Sequence, residues 1–227
     1  MLPSLLFVYA EIGDQVSIAD FHHWYDNEHV PARLSLPGFL NALRYRAADD
    51  QQPSWIAMYD MASPDTTNTD EYRALFPKAS QQEKFIIANL ACLNRRVYNP
   101  ISVLTHPSAS LSDIPTRFLF VVCMDISPEL EDDLNKWYEE EHLSLLAKVP
   151  GWLRGRRFKL GNHAELSGKP TLMMSTPTKY IALHDWQTSD FQGTPEFKYS
   201  IETPWSKKIL GSLLKLETRT FELHKSY

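Results

Sequence analysis

The chain has 227 residues, 43% of them hydrophobic, and a formal net charge of -5. That is enough apolar material for a buried core, with no basic excess to hold phosphate, which argues against a disordered chain and against nucleic acid as a partner. Cys92 and Cys123 are too few for a disulfide framework or a zinc knuckle, and the opening Met-Leu-Pro-Ser-Leu-Leu-Phe-Val lacks the basic start of a signal peptide, so the expectation is a cytoplasmic protein with no membrane span.

Residues 5 to 11, Leu-Leu-Phe-Val-Tyr-Ala-Glu, are β-prone and nearly all apolar, which suits a strand covered on both faces. Ser17 with Asp20 three positions on predicts the start of a helix running to about residue 35. Pro37-Gly38 stops it, and Phe39 to Arg46 reads as a second strand. A polar turn ending at Pro53 leads to a third strand over 55 to 61. A broken helix over 70 to 93 and a fourth strand over 95 to 104 follow. The segment from Asn99 to Thr116, rich in Pro, Ser and Thr, reads as strand end and linker.

Beyond it the order β-α-β-β-α-β is written again. Trp24-Tyr25-Asp26-Asn27-Glu28-His29 returns as Trp137-Tyr138-Glu139-Glu140-Glu141-His142, each followed at the same distance by Pro-Gly. At an offset of 113, residues 5 to 45 align with 118 to 158 without a gap, and 12 of 41 pairs are identical. Such self-similarity marks a duplication, here of two units over 1–104 and 117–227 joined by 105–116. The third strand, 55 to 61, returns as Tyr180 to Trp186 at an offset of 125, so the second hairpin is longer by 125 minus 113, or 12 residues. The insertion, roughly Gly161 to Lys179, suits a lid. A closing helix is expected over 207 to 216.

The repeated Trp-Tyr-x-x-Glu-His phrase, its Pro-Gly sequel and the β-α-β-β-α-β order resemble the EthD-like branch of the dimeric α/β-barrel superfamily. The resemblance spans both halves. It implies an α+β fold of two fused ferredoxin-like units whose antiparallel sheets face each other as a pseudo-dimeric barrel, so the chain is expected as a monomer or a weak homodimer. Relatives include isomerases, cyclases, decarboxylases and cofactor-free monooxygenases, so the fold alone does not name a reaction.

On a wheel of 100° per residue, Glu28 falls about 40° from Trp24, inside the apolar stripe, and His29 about 140° away, at its border. A buried carboxylate needs a partner, and the duplicated Arg44 and Arg157 on the following strand are the expected ones, giving the pairs Glu28–Arg44 and Glu141–Arg157. The alternative is a general acid with a raised pKa. His29 and His142 are either helix-end hydrogen bonders or acid–base groups; the resemblance implies the second for one copy at least.

Alternation in the third strands puts Tyr180, Ala182, His184 and Trp186 on one face and Trp55, Ala57, Tyr59 and Met61 on its counterpart. The Ile and Leu of the other face suit packing under helices, which predicts that His184 points into the barrel and that Tyr59 is its counterpart. An acid–base pair and a filled core both fit that arrangement. The same reasoning offers Phe7, Tyr9 and Glu11, with Phe120, Val122 and Met124, as cavity wall. Phe7, Tyr9, Trp55, Phe120, Tyr180 and Trp186 would contact substrate. No motif calls for a nucleotide, flavin or haem, and the adjacent His22-His23 cannot share a metal from one helix face. The expectation is a cofactor-independent, metal-free lyase, isomerase or cyclase acting on an apolar polyketide- or terpenoid-type molecule, with His184, Tyr59, His29 and His142 as catalytic candidates. A cofactor-free monooxygenase and a non-catalytic binding or stress-related protein are the alternatives.

Overall fold

A computed structural model describes residues 2–227. Strand β1 spans Ser4–Glu11, with seven of its eight side chains buried. Helix α1, Ile18–Trp24, begins where the Ser17 hydroxyl accepts from the Asp20 backbone N–H at 3.0 Å. A π-helical turn follows over Tyr25–His29, and then α2, Val30–Leu34. Gly38 sits at φ 97°, a conformation that only glycine adopts without strain, and a Cβ there would meet Thr66 Oγ1 at 2.8 Å. Strands β2, Leu43–Ala47, and β3, Trp55–Met61, come next, then the short helices α3, Asp70–Arg73, and α4, Leu75–Lys78. Helix α5, Gln81–Asn89, leads into β4, Cys92–Thr105. The broken helix expected over 70 to 93 is thus three helices, and the fourth strand begins three residues earlier than expected.

The second copy repeats the plan with β5, Phe118–Ile126; α6, Glu131–Trp137; a second π-helical turn over Tyr138–His142; and α7, Leu143–Leu146. Gly151 takes φ 86°, so both Pro-Gly pairs carry a positive-φ glycine, in the turns that follow α2 and α7. Strands β6, Trp152–Glu165, and β7, Tyr180–Trp186, precede helices α8, Pro195–Glu202, and α9, Pro204–Gly211. Strand β8 covers Leu213–Ser226, so the helix expected to reach residue 216 stops at Gly211 and the chain turns extended.

Following hydrogen-bonded neighbours, the strand order is β1-β3-β2-β8-β5-β7-β6-β4, a closed antiparallel ladder, and the fold class is α+β. Compact packing divides the chain into two units that do not follow the repeat boundaries. Unit 1 holds the chain up to Pro100 together with Leu160–Pro177 and His224–Tyr227; unit 2 holds Ile101–Lys159 and Thr178–Leu223. In unit 1, β1 lies between β3 and β4, and Leu6, Val8, Trp55, Ala57 and Tyr59 pack with Phe21, Trp24 and Tyr25 of the helical layer. In unit 2, β5 lies between β7 and β8, and Phe120, Met124, Ala182 and Trp186 pack with Leu134, Trp137 and Tyr138.

The pairings expose a one-residue slip between the copies. Leu6 is opposite Tyr59, whereas Phe120 is opposite His184. Tyr59 and His184 therefore correspond at the offset of 125, but Leu6 corresponds to Phe120 at an offset of 114, because the first strand-to-helix connection is one residue shorter in the second copy. A slip of one residue turns every side chain of a strand to the other face. It follows that Phe120, Val122 and Met124 face the helices of unit 2, while in unit 1 Leu6 and Val8 do so, and Phe7 and Tyr9 stand on the opposite face. Among the described residues, no helix is long and apolar enough to cross a membrane.

Candidate active site

The duplicated phrase does not form the expected ion pairs. Glu28 accepts from Ser80, the N-cap of α5, through both the backbone N–H at 2.9 Å and the hydroxyl at 2.7 Å. Glu141 likewise accepts from the hydroxyl of Thr203, the N-cap of α9, at 2.6 Å. The cause is the π turn. Its i→i+5 bonding adds a residue to the turn, so a wheel of 100° steps drawn from Trp24 overshoots beyond Tyr25. Glu28 moves to the side of the stripe where α5 starts, and His29 moves into it.

Arg44 and Arg157 remain under the helices and meet aromatic faces instead. The Arg44 guanidinium lies 4.1 Å from the Tyr25 ring centroid, 3.0 Å from His22 Nδ1 and 3.5 Å from an Asp26 carboxylate oxygen. Arg157 lies 4.0 Å from the Tyr138 centroid and donates to Asn135 Oδ1 at 2.8 Å; its Nη1 is buried with no partner. What the two copies share as a helix-to-sheet clamp is a guanidinium on an aromatic ring, with Asp26 rather than Glu28 as the carboxylate near Arg44 and an amide, Asn135, near Arg157.

His29 is buried, with its ring 4.3 Å from Trp24, and its Nδ1 lies 3.0 Å from Glu83 Oε1 on α5. Burial, and then the Arg33 charge, lower its pKa to about 3 in spite of Glu83, so the ring is neutral. Burial alone would raise the Glu83 carboxyl, but the hydrogen bond from His29 and the Arg33 charge outweigh it and leave Glu83 below the usual carboxylate range. A neutral imidazole beside an ionised carboxylate donates Nδ1–H to it. That leaves Nε2 as the basic position of the ring.

His29 lines a cavity of about 390 Å³ in unit 1. Tyr59, 1% exposed, lines it from β3, and its hydroxyl has no hydrogen-bond partner; burial raises its pKa, so it stays a protonated donor. Arg95 lines it from β4 with a buried, unpartnered Nε, and Arg33, bonded to the His29 carbonyl at 2.9 Å, lines it from α2. Leu6, Val8, Tyr72, Phe76 and Leu93 supply apolar wall. The insertion of the second copy contributes as well: Leu166 N–H bonds the Leu93 carbonyl at 2.9 Å and Gly168 N–H the Ile87 carbonyl at 3.3 Å, which sets Leu166 in the wall. The stretch expected as a lid supplies a side of the unit 1 cavity through Leu166.

The other proposed residues lie elsewhere. His184 is not aimed away from the helices, as the sequence predicted. It sits on the helix-covered face of unit 2 with His142, both lining a second cavity of about 250 Å³ with Phe120 and Trp186. His142 Nδ1 lies 3.2 Å from the Ser200 carbonyl, and His184 Nδ1 accepts from Trp152 Nε1 at 3.3 Å. Phe7 and Tyr9 line neither cavity. Trp55 borders a separate surface cleft with Glu11, His22 and His224, and the Tyr180 hydroxyl donates to Glu131 at 2.8 Å. Among the described residues, no three His, Cys, Asp or Glu side chains converge as metal ligands. The sequence reading missed Glu83, Arg95 and Arg33. The one available signal was Ser80-x-x-Glu83, which reads as a helix start rather than as a site.

Neither a family model nor a curated protein sequence matches the chain. Solved structures do. An anthrone oxidase-like protein superposes with a TM-score of 0.66 at 9% identity, over 100% of this chain and 92% of that one. A putative monooxygenase from Lactobacillus acidophilus gives 0.56 at 11% identity, over 100% and 96%. A putative chlorite dismutase gives 0.54 at 15% identity, over 98% and 95%. At such identities the likeness is one of fold, and the chain has the dimeric α+β-barrel fold that these proteins share.

Proposed function

We propose that the unit 1 cavity is the active site of an enzyme that acts by general acid–base chemistry on an apolar, enolisable small molecule. The carrying observation is the buried His29–Glu83 pair at a cavity whose two unpartnered donors, Tyr59 Oη and Arg95 Nε, need an oxygen to bind. His29 Nε2 takes a proton from a carbon next to a carbonyl. Burial and Arg33 make the ring a weak base before substrate binds, and the enolate that forms beside it, together with Glu83 at Nδ1–H, stabilises the imidazolium. Tyr59 and Arg95 donate to the enolate oxygen as its charge develops. Because the cavity is largely apolar, those donors act with little competition from water. Within the fold, the Trp-Tyr-x-x-Glu-His phrase with its Pro-Gly sequel supports a place in the EthD-like branch.

The enolate has two fates. Reprotonation at another carbon, ring closure or loss of a leaving group makes the enzyme an isomerase, cyclase or lyase. Reaction with O₂ makes it a cofactor-free monooxygenase: a methylene carbon becomes a carbonyl, and O₂ is consumed with release of one water. The likeness to an anthrone oxidase-like protein favours testing the second fate on equal terms.

Anthrone in D₂O reads both steps, since deuterium entry at its methylene reports deprotonation and oxygen uptake reports oxidation. Enzyme-dependent deuterium entry that Glu83→Gln slows by roughly 10²-fold or more is expected. If a panel of aromatic ketones including anthrone shows no exchange above buffer, or the rate is indifferent to Glu83 and His29, the proposal fails.

A further inference from the structure

The cavity of unit 2 keeps the frame of the first and differs in the groups that matter for chemistry. Glu28 on the Ser80 cap and Glu141 on the Thr203 cap make Ser206, three residues past its cap, the counterpart of Glu83. Ser206 Oγ receives the Trp137 indole N–H at 3.0 Å and donates to the Ser200 carbonyl at 2.8 Å. His142 therefore has a neutral carbonyl at Nδ1, and no carboxylate stands ready to support an imidazolium there. His184 has no carboxylate either; Trp152 fixes its tautomer by donating to Nδ1.

Both rings stay neutral, with pKa values lowered to about 3, by burial first and then by His184 for His142 and by Arg157 for His184. With their Nδ1 atoms committed, His184 presents Nε2–H as a donor and His142 presents Nε2 as an acceptor. Trp186, also in the wall, has a buried indole N–H with no acceptor in the protein. Among the described residues, no Asp, Glu, Lys or Arg lines this cavity, whereas Arg33, Arg73 and Arg95 line that of unit 1. Gly155 lies opposite His184 across β6 and β7, and a Cβ there would meet Leu143 at 2.8 Å and His184 Nδ1 at 3.1 Å, so the glycine lets His184 keep its place beside Leu143.

We infer that the unit 2 cavity is a separate, non-catalytic binding site for an uncharged, flat aromatic molecule bearing a hydroxyl or carbonyl oxygen. Phe120, Trp137, Tyr138 and Trp186 supply an aromatic wall, and the donor of His184 with the acceptor of His142 in the same wall suits an alcohol or phenol that both gives and takes a hydrogen bond. Loss of a charge-supporting partner at Ser206 would leave such a site able to hold a ligand and unable to transform it.

The test uses the full chain with 5-fluorotryptophan in place of tryptophan, its fluorine signals assigned by single substitutions, titrated at pH 7 with neutral 2-naphthol and with the anion 2-naphthoate. The signals of Trp137 and Trp186 should shift saturably with 2-naphthol and much less with 2-naphthoate. His184→Leu should weaken the 2-naphthol response by roughly 3- to 10-fold, the range of one hydrogen bond. Thr218→Phe, which narrows the cavity from β8, should weaken it independently should His184→Leu disturb packing. Glu83→Gln should leave it unchanged, which separates this site from the one in unit 1. The inference is overturned if 2-naphthol leaves both signals in place, if the anion binds as well as the phenol, or if neither substitution in unit 2 weakens binding.

Discussion

Replacing Glu83 by Gln keeps the shape of a buried side chain and removes its charge, so its consequences for folding and for chemistry separate cleanly. Far-UV dichroism should remain that of the parent while proton transfer falls; an unfolded variant would recast Glu83 as a structural residue. Arg157 presents the opposite situation, a buried guanidinium beside an amide. Asn135→Asp supplies a counter-charge to a cation whose desolvation cost is already met, and a rise in the urea midpoint equivalent to about 1 kcal/mol is the expected result. No change, or a fall, would show that the Tyr138 ring already compensates the charge. At this scale His29 was legible because the sequence writes it twice. Glu83 was not, because Gln81-Gln82-Glu83-Lys84 looks like a solvated helix face. Its burial arises only once Glu28 has fixed the start of α5.

The π turns over Tyr25–His29 and Tyr138–His142 explain most of what the helical wheel misplaced. Hydrophobic spacing reveals a helix, but i→i+4 and i→i+5 bonding differ by one residue in the phase of everything that follows, and no residue type in the phrase announces the change. Strand β5 carries the same kind of ambiguity, since an ungapped alignment absorbs a connection one residue shorter and so turns Phe7 and Tyr9 to the cavity side on paper. Glu28→Ala tests the element-scale role given to that carboxylate. It removes two hydrogen bonds at the α5 cap and should lower stability by about 1 to 2 kcal/mol in urea unfolding at pH 7, with amide exchange rising first in residues 81 to 89. An effect confined to the sheet would contradict that role.

Across the molecule, three buried histidines weaken the fold in acid, and His22, lowered to about 4 by burial and then by Arg44, acts in the same direction. The folded pKa values of His29, His142 and His184 lie near 3, below the unfolded value of 6.5, mainly through burial. Below about pH 6.5 the unfolded chain takes up protons that the folded chain refuses, so stability declines as pH falls from there toward 3, by about 1.4 kcal/mol per pH unit for each ring. Urea midpoints should therefore drop steeply between pH 7 and pH 5, and His142→Gln should flatten the slope; a level profile would mean that the rings are not held neutral. The α+β fold was legible at this scale because duplication doubled every signal: two phrases, two Pro-Gly stops, two runs of the same element order. The allocation of 160–177 to unit 1 was not, since nothing in Gly161 to Lys179 names the residues it packs against. That allocation has a consequence for a chain made in one direction. His29 leaves the ribosome early and Glu83 soon after, yet Leu166, which closes their cavity, is synthesised only after the first strand and helix of the second copy. A nascent chain stopped before it would hold the His29–Glu83 pair beside an open wall, so the pocket reaches its final form late in translation, after that pair is already in place.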